Sequence, residues 1–148
     1  IRVPMIVRWP GQVRAGTLCE EPVVSMDFYP TFLELAGLKA GKKTLDGESL
    51  LPLFRQTGKL NRKTIYFHFP NYAWHMDNRL AGAVREGKWK MIRNYDDGSL
   101  ELYDLHDDLS EKRNLAKESS EVAKRLNQKL SQWLKETNAP MPTLQSNP

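Results

Sequence analysis

The sequence is poor in cysteine: Cys19 is the only one in 148 residues. An internal disulfide and any multi-cysteine metal site are thereby excluded. Cys19 lies in the stretch TLCEEP beside Glu20 and Glu21 and reads as an unreactive thiol. Long hydrophobic runs are lacking too, and no apolar stretch approaches the roughly 20 residues of a membrane-spanning helix. Charge of one sign is nowhere concentrated. The first 60 residues carry 8 basic and 6 acidic groups and the remainder 14 and 12, for a net charge of +4. So even an excess reads as a solvated surface rather than a nucleic-acid footprint. A Gly-rich phosphate loop, a nucleophile elbow and a His-Glu helical metal motif are all missing. Asp96-Asp97 and Asp107-Asp108 read as turn formers, and His68, His75 and His106 share no ligand spacing. Read alone, the chain carries no catalytic set.

What is present is a strong pattern between Arg79 and Leu105, RLAGAVREGKWKMIRNYDDGSLELYDL. Glu86-Gly87 and Asp96-Asp97-Gly98 supply the glycine and acidic residues of tight turns. Between them Trp89 and Met91 alternate with Lys88 and Lys90, and Leu100 and Leu102 alternate with Ser99 and Glu101. Period two predicts three antiparallel strands with one wet face. Thr64 to Phe69, TIYFHF, reads as a further strand with Ile65, Phe67 and Phe69 on one face and Tyr66 and His68 on the other. Such a small sheet must bury its apolar face. The partner is expected to be a helix begun at Ser119 or Ser120 and running to about Thr137, with Val122, Leu126, Leu130, Trp133 and Leu134 on one face. His106 to Ala116 reads as a turn with a short helix capped by Ser110.

The first part of the chain has a different texture. Val3 to Trp9, VPMIVRW, is apolar on both faces apart from Arg8, which predicts a strand buried between layers. It begins so close to Ile1 that Ile1 reads as a truncation point in a longer chain. Asp27 to Ala36 reads as a helix capped by Asp27, with Pro30 in its first turn and Gly37 as its stop. Phe28, Phe32 and Leu35 mark its apolar stripe. After a turn at Asp46-Gly47, Ser49 to Phe54 is a short helical piece. The polar stretch QTGKLNRK, residues 56–63, separates the two parts.

The richest candidate site is the aromatic loop between His68 and Arg79. His68, Trp74, His75 and Arg79 are its candidate substrate-binding residues, flanked by Tyr72 and Asn78. Aromatic faces stack on sugar rings, and an Arg fork suits an anionic oxyacid group. The competing reading is a hydrophobic lid over a neighbouring layer.

Five stretches together resemble a known family. IRVPMIVRWPG, SMDFYPTFLELAG, LDGESLLPLF, AGAVREGKWKMI and LELYDLHDDLSEKRNLA occur in the order expected for the C-terminal part of a type I sulfatase. The resemblance runs from Ile1 to about Ala139. It implies an α/β protein of the alkaline-phosphatase-like class, α+β within this chain. Residues 1–60 would be the end of the catalytic α/β domain, 61–139 an antiparallel-sheet subdomain with a helix, and 140–148 a tail. Members hydrolyse sulfate esters with a formylglycine nucleophile and a divalent cation, usually calcium. The hydrated aldehyde attacks, and the cation stabilises charge on the sulfate oxygens. Cys19 is followed by Glu-Glu-Pro and does not fit the C/S-x-P-x-R motif that carries the nucleophile. No catalytic or metal residue is therefore carried onto this chain, and the chain alone is expected to be inactive and free of calcium. The implied partners are a sulfated carbohydrate or aryl sulfate and the missing N-terminal part of the same chain, with neither nucleic acid nor a membrane span involved. The family also implies a periplasmic, secreted or lysosomal location. Two alternatives are a phosphate or phosphonate ester hydrolase of the same superfamily and a non-catalytic module that binds sulfated glycans.

Overall fold

The computed structural model describes residues 3–39, 41, 44–71 and 78–143. The chain divides into two compact units, residues 1–62 and 63–148.

In the second unit, four strands form one sheet in the order β1-β2-β3-β4. They are β1 (Thr64–Phe69), β2 (Ala81–Glu86), β3 (Trp89–Asn94) and β4 (Leu100–Asp104). Every neighbouring pair is antiparallel. Glu86 pairs with Trp89, so Gly87 and Lys88 make a two-residue turn. Gly87 takes φ +55°, the left-handed conformation that such hairpins require. At the next turn Gly98 has φ +72°, and the Asp97 carboxylate accepts the Ser99 N–H at 2.9 Å.

The helix α3 (Ser120–Glu136) lies on this sheet. Register brings Tyr66, Val84, Met91 and Leu102 into one row across the four strands. Val84, Met91 and Leu102 are buried against Ala123, Leu126, Leu130 and Leu134 of the helix. These helix positions recur at three- and four-residue spacing and form one stripe. Tyr66 stacks on Trp133 with ring centroids 4.9 Å apart. Ser119 occupies the N-cap position, but its side chain makes no capping bond. Glu86 instead ties strand to helix, taking bonds from Arg125 and Lys129 and from Thr64.

The opposite face of the sheet is not the wet face that the alternation predicts. Ile65, Ala83, Lys90 and Tyr103 on that side are buried. The face tolerates charge because its charges are paired: Lys90 Nζ meets Glu111 at 2.5 Å, and Tyr103 donates to Glu101 at 2.7 Å.

The short helix expected within 106–116 does not form. Its polar side chains bind the backbone in other ways. Asp108 accepts the Arg113 N–H at 2.7 Å, and Asn114 Oδ1 accepts the N–H groups of Leu102 and Ala116. Glu111 sits at φ +55°, outside helical space. Asx-type bonds of this kind compete directly with helical ones.

In the first unit, a 3-10 turn over Ser25–Asp27 leads into α1 (Phe28–Leu35), and α2 (Leu51–Phe54) follows. Gly37 ends α1 with φ +67°. Asp27 does not cap α1 in the expected way; its side chain makes no bond to the helix N-terminus. Its carboxylate accepts the Val24 N–H at 2.9 Å and the Glu48 N–H at 3.0 Å. Arg62 completes the set as a two-pronged donor, at 2.7 and 2.8 Å. Burial alone would push this carboxyl up, but Arg62 and the two backbone donors outweigh it and hold it below the ordinary carboxylate range. Thr31 extends the clamp by accepting the Leu50 N–H at 2.9 Å. Gly47 packs so closely on Met26 that a side chain there would meet the Met26 carbonyl.

The strand predicted over residues 3–9 is absent. Its N–H and C=O groups need a partner strand, and among the described residues of this unit no strand exists. Val3 is 85% exposed and Ile6 93%. The apolar stripe of α1 is uncovered as well, with Phe32 62% exposed.

Candidate functional site

Trp74 and His75 lie outside the described residues, as does Tyr72. His68 and Arg79 can be placed.

His68 shares its face of β1 with Tyr66, so it points to the α3 side of the sheet. Its Nδ1 lies 2.7 Å from the Tyr95 hydroxyl and its Nε2 lies 2.8 Å from the Pro140 carbonyl oxygen. A carbonyl only accepts, so Nε2 carries the proton. Nδ1 of the neutral ring is then the acceptor, and Tyr95 donates to it. Both ring nitrogens are thus engaged inside the fold. Tyr95 fits because the facing residue is Gly82: a Cβ at Gly82 would meet the Tyr95 hydroxyl. Burial pushes the Tyr95 phenol up, so it stays protonated as the donor. The Arg93 guanidinium lies over the Tyr95 ring, 5.4 Å from its centroid. Arg93 also donates to Asn127 at 3.2 Å and Ser131 at 2.8 Å on α3.

Arg79 stands just before β2 with its side chain 71% exposed. Its Nη1 donates to Glu101 at 3.1 Å. Glu101 also accepts from Asn94 at 3.1 Å and from Tyr103 at 2.7 Å. Burial, with Glu101 as hydrogen-bond acceptor, pushes the Tyr103 phenol up to about 12. Glu101 and Tyr103 flank Leu102 in β4, so they project from the face away from α3. His68 and Arg79 are therefore anchored on opposite faces of the sheet.

Sequence reasoning missed the partners of His68. Tyr95 and Pro140 are 27 and 72 positions away, so no local spacing announces them. The only hint was Gly82, a glycine inside a strand pattern, which marks close approach by another group.

The acid pairs take structural roles. Asp97 and Asp108 accept backbone N–H groups, and Asp107 meets the His106 ring at 2.6 Å. Cys19 is exposed. Among the described residues no group of three His, Cys, Asp or Glu side chains is placed to hold a metal. These residues therefore do not fit the calcium that the sulfatase resemblance implies. No helix among them is long and apolar enough to cross a membrane.

With this geometry in hand, comparison with known proteins is specific. The model of the N-sulphoglucosamine sulphohydrolase C-terminal family matches residues 1–137. A sulfatase of Formosa agariphila is 32% identical over 158 aligned residues, covering 95% of this chain and 28% of its own. An N-acetylglucosamine-6-O-sulfatase of Bacteroides thetaiotaomicron is 35% identical over 141, covering 92% of this chain and 25% of its own. A solved structure of a protein in complex with its substrate D-glucosamine-2-N,6-O-disulfate superimposes with a TM-score of 0.66 at 33% identity. The match spans 89% of this chain and 27% of that one. The chain belongs to the N-sulphoglucosamine sulphohydrolase C-terminal family and represents the C-terminal part of a sulfatase. It spans about a quarter of the length of the relatives it matches.

Proposed function

We propose that the protein containing this chain hydrolyses sulfate esters of a sulfated carbohydrate, with glucosamine sulfates as the substrate class. The carrying observation is the 35% identity to an N-acetylglucosamine-6-O-sulfatase over 92% of the chain. The structural match to a protein holding a glucosamine disulfate supports the same class. In this reading the formylglycine nucleophile and calcium belong to residues outside this chain. Calcium, where bound, stabilises charge on the sulfate oxygens. Trp74, His75 and the exposed Arg79 are candidate sugar and sulfate contacts. Because both ring nitrogens of His68 are hydrogen-bonded, to Tyr95 and to the Pro140 carbonyl, we assign it to holding the segment after α3 on β1 rather than to substrate. A periplasmic, secreted or lysosomal location follows from the same reading.

The test is sulfate release by the full-length protein from glucosamine 6-sulfate and from an aryl sulfate, followed by ion chromatography. Sulfate release from the sugar supports the proposal. Hydrolysis of a phosphonate or phosphate ester without any sulfate release would replace it with the esterase alternative. Saturable binding of a sulfated glycan without turnover would replace it with the binding-module reading. This chain alone, supplied with calcium and an aryl sulfate, is expected to release nothing above background.

A further inference from the structure

We propose that Glu101 is a positioning residue, which holds Arg79 ready to receive an anionic group of the sulfated sugar. The proposal rests on the reading of Arg79 as a substrate contact in a sulfatase that acts on glucosamine sulfates.

Glu101 is itself held by neighbours other than Arg79. Its side chain is 19% exposed. Oε2 accepts the Tyr103 hydroxyl at 2.7 Å, and Oε1 accepts Asn94 Nδ2 at 3.1 Å. Asn94 is fixed in turn by a bond from its Nδ2 to Ser99 Oγ at 2.8 Å, and Tyr103 is buried. Burial alone would push the Glu101 carboxyl up, but Tyr103, Asn94 and the charges of Arg79 and Lys90 outweigh it and keep it ionised. Arg79 Nη1 donates to Oε1 of this anchored carboxylate at 3.1 Å. The backbone end of Arg79 is fixed as well, because the next residue, Leu80, is buried and its carbonyl accepts the Tyr95 N–H at 2.8 Å. Arg79 is thus anchored at both ends while its side chain stays 71% exposed.

A guanidinium carries its N–H donors in one rigid plane. With Nη1 on Glu101, the plane is oriented and the exposed part of the fork is open to the oxygens of a sulfate. A free Arg loses rotamer freedom when it takes an oxyanion, and prior anchorage reduces that loss. Glu101 helps by geometry and opposes by charge, since a carboxylate offsets part of the Arg79 cation. Glu101→Gln separates the two effects: it keeps an amide oxygen for Arg79 and Asn94 and removes the opposing charge. The alternative is a surface ion pair with no part in binding.

Steady-state kinetics of the full-length protein on glucosamine 6-sulfate test the proposal. Glu101→Ala is expected to raise KM about 2- to 10-fold and to leave kcat unchanged. Arg79→Ala should raise KM at least as much, and adding Glu101→Ala to it should raise KM no further, because Glu101 acts through Arg79. Glu101→Gln should restore the parent KM. If thermal melts show that Glu101→Ala has not folded, Glu101→Thr takes its place, since Thr suits a strand and is too short to reach Arg79. A KM unchanged by the loss of Glu101 would overturn the proposal. So would an equal rise with and without Arg79, which is the mark of a merely structural role. If the parent releases no sulfate, calorimetric titration with the same sugar takes the place of KM. Sulfate release with a KM indifferent to Glu101 removes the positioning role and leaves the function. Binding weakened by the same variants in a protein without turnover does the reverse, and neither release nor binding removes both.

Discussion

Tyr95 donates a hydrogen bond to Nδ1 of His68 at 2.7 Å, completing the pairing of an imidazole whose proton sits on Nε2. The opposite nitrogen then serves the Pro140 carbonyl at 2.8 Å, fastening the chain that follows α3 to strand β1. Replacing Tyr95 with Phe removes the donor and leaves Nδ1 unpaired in a half-buried place. The expected loss of stability is about 1 kcal/mol, read from chemical denaturation. Nitrogen-15 shifts of His68 should report the Nε2–H tautomer in parent and variant alike, because the Pro140 carbonyl that fixes it is unchanged. Unchanged stability in the variant would show that the Tyr95 bond contributes nothing.

Gly82 is the counterpart of this relay. A Cβ there would meet both the Tyr95 hydroxyl and, at 2.9 Å, the Leu130 side chain. Gly82→Ala is ordinarily a favourable change within a strand. Here overpacking should make it destabilising by about 1–3 kcal/mol. Combined with Tyr95→Phe the penalty should shrink, because one of the two clashing atoms is gone. Full additivity in the double variant would place the clash elsewhere.

In the first unit, Asp27 is completely buried and paired with Arg62, whose side chain is 13% exposed. Removing one partner leaves an uncompensated charge. Arg62→Met should cost about 3–5 kcal/mol. The double change Asp27→Asn with Arg62→Met should recover part of that loss. Thermal melts of the full-length protein are the measurement; equal melting temperatures for parent and Arg62→Met would contradict the buried pair.

Acid sensitivity should trace to Glu86. Burial pushes its carboxyl up, but bonds from Lys129, Arg125 and Thr64 outweigh that and hold it below its ordinary value of 4.5. A depressed folded-state value means the contribution is complete above pH 4.5 and drains away as pH falls below it. Glu86→Gln should therefore be destabilised by about 1 kcal/mol at neutral pH, the modest size reflecting solvent access to Arg125 and Lys129. The gap between parent and variant should close on acidification below pH 4.5. A gap that stays constant across that range would remove Glu86 from the acid response.

Legibility in the sequence followed locality. Strands β2 to β4 were readable because alternation and the glycines of two tight turns are short-range signals, and Gly87 and Gly98 do take positive φ. The stripe of α3 was readable for the same reason, and Leu126, Leu130 and Leu134 are buried. Residues 3–9 failed because strand formation needs a partner as well as a pattern. The 106–116 segment failed because Asp108 and Asn114 spend their oxygens on backbone N–H groups. Asp27 was a cap by pattern but became the centre of a clamp once Arg62, 35 positions away, was folded onto it. The environment of His68 was equally remote. Alternation put it opposite Ile65 and Phe67, and nothing local revealed that this side faces α3.

The central proposal is that the protein containing this chain is a sulfatase with a formylglycine nucleophile. Reading the coding sequence upstream of Ile1 tests it most directly. The account predicts an open frame that continues upstream and encodes a C/S-x-P-x-R motif with an acidic metal-binding cluster. A start codon immediately before Ile1, or an upstream frame without that motif, would contradict it.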